Sequence, residues 1–168
     1  MKKYIFVING QGGSGKDTIC EIVAKHYGVL NRSSIDLIKR AANYLGCDNQ
    51  KNDKSRKFLH ELKMLSTWYN DYPMQYILKE IDFFLSLSSH KVMFIHMREP
   101  KEIERLKTLC DHKINTLLIK RGEDRVFGND ADDEVNNYTY DYVYLNNGSL
   151  EELEDDFMKW FREIIKDD

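Results

Sequence analysis

The run Tyr4-Ile5-Phe6-Val7-Ile8, followed by Asn9-Gly10-Gln11-Gly12-Gly13-Ser14-Gly15-Lys16-Asp17-Thr18, constrains this chain more than any other segment. An apolar run of this length predicts a buried strand. The residues after it place Ile19, Ile22, Val23 and His26 at helical spacing. In a loop between a strand and a helix, glycines let backbone N–H groups turn inward around an anion. The helix N-terminus adds partial positive charge, and a lysine at the end of the loop reaches the outer phosphates. Gly12, Gly13, Ser14, Gly15, Lys16, Asp17 and Thr18 are therefore expected to hold the phosphates of a nucleotide. In the commoner form of such a loop a hydroxyl residue directly follows the lysine and ligates magnesium. Here Asp17 takes that place and Thr18 comes one residue later. Asp17 keeps two readings, a part in the water shell of a magnesium ion or favourable charge in the first helical turn.

With 168 residues the chain suits one domain with a real core. Hydrophobic residues make up 42% and charged residues 32%, a folded composition rather than a disordered one. No apolar run approaches membrane-span length, and the chain enters its first strand too soon for a secretory leader. Cys20, Cys47 and Cys110 are scattered, without paired spacing, and fit the reduced thiols of a cytoplasmic protein; no metal ligands are assigned. The net charge of −3 is unevenly spread, because residues 123–168 carry 15 acidic and 4 basic side chains. The remainder is basic, which suits a small polyanionic ligand, whereas the acidic end argues against a nucleic-acid surface.

Beyond the first helix, an extended piece is expected at Val29–Arg32 and a helix from about Ser34 to Leu45. Two more helices, at about 53–70 and 73–88, flank the break Tyr69-Asn70-Asp71-Tyr72-Pro73, with the proline in a first helical turn. Strands follow at Lys91–Ile95, Lys113–Ile119 and Tyr140–Leu145, with a helix over Pro100–Leu109 between the first two. A last helix over Ser149–Ile165 is capped by Ser149, with Glu152 three residues on. Strands alternating with helices predict an α/β three-layer sandwich around a central parallel sheet, with ligands at the carboxyl ends of the strands.

That topology gathers a set of candidate residues. Arg98, in His96-Met97-Arg98-Glu99-Pro100, follows a strand and faces the crevice, where a guanidinium pairs with a phosphate; a surface ion pair with Glu102 is its other reading. Lys120, Arg121 and Arg125 follow the next strand and are candidates to meet the charge of a migrating phosphoryl group, in a small lid at about 120–134. A solvated loop is the alternative there. Of Lys39, Lys54, Arg56 and Lys57, one or two are expected at a ligand, the rest on helix surfaces. Trp68, Tyr69, Tyr72 and Tyr76 are expected to pack mostly in the core, with flanking of a planar acceptor as their second role.

Taken together, Gly15-Lys16-Asp17-Thr18, Ser34–Lys39, Lys54–Leu59, Met97-Arg98-Glu99 with Glu102, and Tyr140–Leu150 resemble the deoxynucleoside monophosphate kinase-like branch of the P-loop small-molecule kinases. The resemblance runs from Lys3 to about Leu153. It implies a single P-loop NTPase domain over residues 1–168, with a helical acceptor-side insertion at about 34–88. It also implies ATP and Mg²⁺ as cofactors and transfer of the γ-phosphate to a nucleoside monophosphate or similar small phosphorylated acceptor. Thr18 would bind an inner phosphate, Asp36 and Arg56 would lie on the acceptor side with Arg98, and magnesium would be held largely through water and phosphate oxygens. The protein would act as a monomer or homodimer, without nucleic-acid or membrane partners. Where the family usually has aspartate before the arginine segment, this chain has His96. A regulatory P-loop module that binds nucleotide without transferring phosphate is the alternative.

Overall fold

The computed structural model describes residues 2–48, 50, 52–122, 135 and 138–166. The first strand, β1 (Tyr4–Asn9), is buried along its whole length, as an unbroken apolar run requires when both sheet faces are covered. It is followed by α1 (Lys16–His26), β2 (Val29–Ser33), α2 (Asp36–Tyr44), α3 (Asp53–Asn70) and α4 (Tyr72–Ser86). The second half contains β3 (Val92–His96), α5 (Pro100–Leu109), β4 (Ile114–Lys120), β5 (Tyr142–Leu145) and α6 (Leu150–Ile165).

The strands form one sheet in the order β2-β3-β1-β4-β5, with every neighbouring pair parallel. The piece expected only as extended at 29–32 is thus an edge strand, held by pairing with β3 from Val29↔Val92 to Ser33↔His96. On one face of the sheet, Phe6 and Phe94 pack with Ile19 and Val23 of α1 and with Phe157 and Phe161 of α6. On the other, Val7, Met93 and Ile95 pack with Ile77, Ile81 and Phe84 of α4 and Ile103 and Leu106 of α5. Helix, sheet and helix make the expected three-layer sandwich with a parallel centre.

Local chemistry sets the element ends. Asn52 Oδ1 accepts a hydrogen bond from Ser55 N at 2.8 Å and caps α3. Ser149 Oγ accepts from Glu152 N at 3.3 Å and donates to Glu152 Oε2 at 2.9 Å, the expected cap of α6. Between α3 and α4 the turn contracts to Asp71, in the left-handed region at φ 55°, with Pro73 in the first turn of α4.

One expectation is overturned. Trp68 and Tyr69 do not pack in the core; they are 80% and 78% exposed. Helix α3 packs on α2 and α4 but carries Ser55 as its one buried residue among those described, so no layer covers its last turns. Tyr76, on α4, does pack against the second core.

Candidate functional site

The phosphate loop owes its shape to two glycines. Gly13 and Gly15 stand at φ 80° and 90°, a region that L side chains avoid. A Cβ on Gly15 would lie 2.4 Å from Asn146 Nδ2, so the position has neither the torsional nor the spatial room for a side chain. Gly15 caps α1, whose first turn carries Lys16, Asp17 and Thr18. Ser14 N donates to Gln11 O at 3.1 Å and closes the loop on itself. Ser14 Oγ is buried without a hydrogen-bond partner among the described residues, a donor group that a phosphate oxygen would satisfy. The loop fits a nucleotide's phosphates.

The last turn of the chain supports this loop from behind. Asn146, buried after β5, donates from Nδ2 to Ser14 O at 2.9 Å, while its backbone N donates to Lys120 O at 2.7 Å. Asn147 Oδ1 accepts from Gly122 N at 2.9 Å. On the other side, Asn9 at the end of β1 donates from Nδ2 to Met97 O at 2.9 Å and ties the loop strand to the segment bearing Arg98.

A cleft of about 560 Å³ opens at the carboxyl ends of β1, β2 and β3. Lys16 and Asp17 form one wall, Asp36 and Lys39 of α2 a second, and Lys63 of α3 with Arg98 and Glu99 a third. Asn31, Ser33, Ser34 and His96 line it along β2 and β3. The structure thus brings Lys16, Asp17, Asp36 and Arg98 together, as their positions in the sequence suggest. Lys16 Nζ lies 3.1 Å from Asp17 Oδ1. Asp36 Oδ2 accepts from Ser33 N at 2.7 Å, so one of its oxygens is committed to shaping the start of α2. Both oxygens of Glu102, the alternative partner of Arg98, accept from Arg105 Nη1, at 2.9 and 3.0 Å.

Other candidates lie outside this cleft. Arg56 is on the exposed side of α3, 3.9 Å from Asp53. Lys120 ends β4 and Arg121 is exposed just after it, and neither lines the cleft. Arg125 and residues 123–134 of the proposed lid lie outside the described residues.

Lys63 and Asn31 carry no motif that would single them out, and Asn146 lies in the segment Tyr140–Leu150 with nothing to mark the carbonyl it meets. Lys63 reads in the sequence as one more cation on a charged helix. In the structure its side chain is only 14% exposed, and Nζ sits 2.5 Å from Glu99 Oε1. Burial pushes the Glu99 carboxyl up, but the hydrogen bond and charge of Lys63, with backbone hydrogen bonds from Glu99 and Arg98, outweigh it and hold the group below its ordinary value.

His96 closes β3 beside Ile8 of β1, with Nε2 2.6 Å from Asn31 Oδ1. Burial, and then the charge of Lys16, push its pKa below the usual histidine value of 6.5. Cys20, behind this site on α1, is pushed up to about 12, first by burial, and is no nucleophile. Among the described residues no group of three or more His, Cys, Asp or Glu side chains is placed to hold a metal ion, and no helix is long and apolar enough to cross a membrane.

No protein-family model matches the chain, and no curated protein sequence is similar to it. Solved structures are. TT1252 from Thermus thermophilus is 19% identical with a TM-score of 0.53, over 97% of this chain and 98% of that one. Thymidylate kinase from Ehrlichia chaffeensis is 15% identical with a TM-score of 0.53, over 96% of this chain and 100% of that one. The parallel sheet, its flanking helices and this likeness establish the fold of the P-loop small-molecule kinases.

Proposed function

We propose that this chain is an ATP-dependent kinase that phosphorylates a nucleoside monophosphate or a similar small phosphorylated acceptor. One observation carries the reading: Lys16, at the end of the phosphate loop, lies in one wall of a cleft, and Arg98 lies in another. A donor phosphate on the first and an acceptor phosphate on the second would meet between them.

The residues divide the work accordingly. The loop amides of Gly12 to Gly15 and the Lys16 ammonium hold the donor phosphates, and Thr18, half-buried in the first turn of α1, serves an inner phosphate. Magnesium bound to the nucleotide supplies positive charge to the transferring phosphoryl group. It would be held through phosphate oxygens and water, with Asp17 and Asp36 as the nearest acids of the cleft. Arg98 orients the acceptor, and Arg121 and Arg125, with Lys120, supply charge over the phosphoryl group. Catalysis of this kind rests on position and charge rather than on covalent chemistry. Where the acceptor's phosphate is itself the attacking group, it is already ionised at neutral pH and needs no base. ADP release measured with ATP and Mg²⁺ over a broad acceptor panel tests the reading; ATP binding without release on any acceptor contradicts it.

The neutral His96 at a strand end that carries an acid in the resembling family favours a second reading, a nucleotide-binding module that does not transfer phosphate. The same panel separates the two.

A further inference from the structure

The chemistry of the cleft narrows the acceptor, on the premise of the kinase reading above. No aromatic side chain lines the cleft among the described residues, and its apolar lining is limited to Ile8, Ile35 and Met97. The aromatic residues of the insertion lie elsewhere: Trp68, Tyr69 and Tyr72 line a separate, open groove where α3 meets α4. A planar base is ordinarily held between apolar or aromatic walls. This cleft offers instead cations (Lys16, Arg32, Lys39, Lys63 and Arg98) and small hydrogen-bonding groups.

Arg98 and Lys63 are two of these cations. An ammonium has three donors, and Glu99 takes one of those on Lys63. His96 lines the same cleft. With Asn31 Oδ1 as the acceptor of its contact with Nε2, the imidazole proton is assigned to Nε2 and the Nδ1 lone pair is left as an acceptor. The charged groups facing His96 are Lys16 and Asp17 of α1 and Lys39 and Asp36 of α2. With its pKa lowered, the ring is neutral at pH 7 and able to take a proton.

We propose that the acceptor is a small phosphorylated alcohol, its phosphate held by Arg98 and Lys63 and its hydroxyl proton taken by His96 Nδ1. The hydroxyl oxygen forms a bond to the γ-phosphorus of ATP as the bond from that phosphorus to the β,γ-bridging oxygen breaks. The electron pair leaves with ADP, the proton passes to Nδ1, and the imidazolium returns it to solvent before the next turnover.

The test uses the full chain with ATP and Mg²⁺ and follows ADP release with two probe sets. One contains nucleoside 5′-monophosphates; the other contains glycerol 3-phosphate and pentose and hexose phosphates. The expected result is a kcat/KM at least about 100-fold higher in the second set, with kcat falling as pH drops through a single ionisation below 6.5. His96→Gln, which keeps a hydrogen-bonding side chain, is expected to lower kcat by about 10²–10⁴-fold with little change in KM and to abolish that acid limb. Lys63→Ala is expected to raise the acceptor KM, and Lys63→Arg to restore it. Nitrogen-resolved NMR of the free protein is expected to show His96 as the Nε2–H tautomer at pH 7. Preference for the monophosphates, wild-type kcat in His96→Gln, or an Nδ1–H ring overturns the inference and leaves the kinase reading standing. ATP binding with no ADP release from either set overturns both.

Discussion

Asn146 donates its side-chain amide to the backbone carbonyl of Ser14 at 2.9 Å, joining the turn after the last strand to the middle of the phosphate loop. The contact spans 132 residues of sequence and is buried. It explains why the carboxyl-terminal part of the chain belongs to the nucleotide site: without it, the Ser14 carbonyl is left unsatisfied and the loop loses its rear support. Asn146→Ala is therefore expected to cost about 1–3 kcal/mol, the range for a buried group deprived of its partner. In a domain of this size that is a fall in Tm of about 3–10 °C. Thermal unfolding with and without ATP checks it; the variant should also gain less stabilisation from ATP than the wild type.

Gly15 presents the same contact from the other side. Alanine there combines a left-handed torsion, costing about 1–2 kcal/mol, with a Cβ 2.4 Å from Asn146 Nδ2. Gly15→Ala is expected to weaken ATP binding by at least about 10-fold, measured by titration calorimetry.

Arg98→Ala is expected to raise the acceptor KM by about 10–100-fold while changing the KM for ATP far less. A charge-assisted hydrogen bond is worth about 1.5–3 kcal/mol, which sets that range. Steady-state kinetics with each substrate varied in turn is the check, and equal effects on both would move Arg98 to the donor side.

The pair Lys63–Glu99 ties α3 to the start of α5 and gives stability a pH dependence of known sign. The Glu99 carboxyl lies below its ordinary 4.5, so its contribution is fully present above that value and is lost as pH falls through the lower folded value. Lys63→Ala removes the largest lowering influences and leaves burial opposed by the backbone hydrogen bonds of Glu99 and Arg98, so the Glu99 pKa should then rise. Carboxyl-resolved NMR titration of both proteins measures this; an unchanged Glu99 pKa in the variant would contradict the pairing.

How much of this was legible in the sequence depends on what kind of signal each residue leaves. The strand, loop and helix around Lys16 are local: glycine torsions, an apolar run and a helical period lie in consecutive residues, and the structure reproduces them closely. Arg98 was legible because a strand end in a parallel sheet has a known side. Lys63 and Asn146 were not, since their roles arise from partners distant in the chain, and neither a helix lysine nor an Asn-Gly turn announces which carbonyl or carboxylate it will meet. Trp68 and Tyr69 misled for the converse reason. Large aromatic residues are ordinarily covered, and only the placement of α3 at the outside of the insertion shows that nothing covers these.

The central claim is that Lys16 and its loop hold ATP for transfer of the γ-phosphate. The most direct measurement is ADP release with ATP, Mg²⁺ and the acceptor panel, compared between the wild type and Lys16→Ala, with circular dichroism to confirm that both are folded. The lysine lies at the loop rather than in the core, so the variant should fold as the wild type does and lose at least about 100-fold in turnover. A folded Lys16→Ala protein that releases ADP at the wild-type rate would contradict the account.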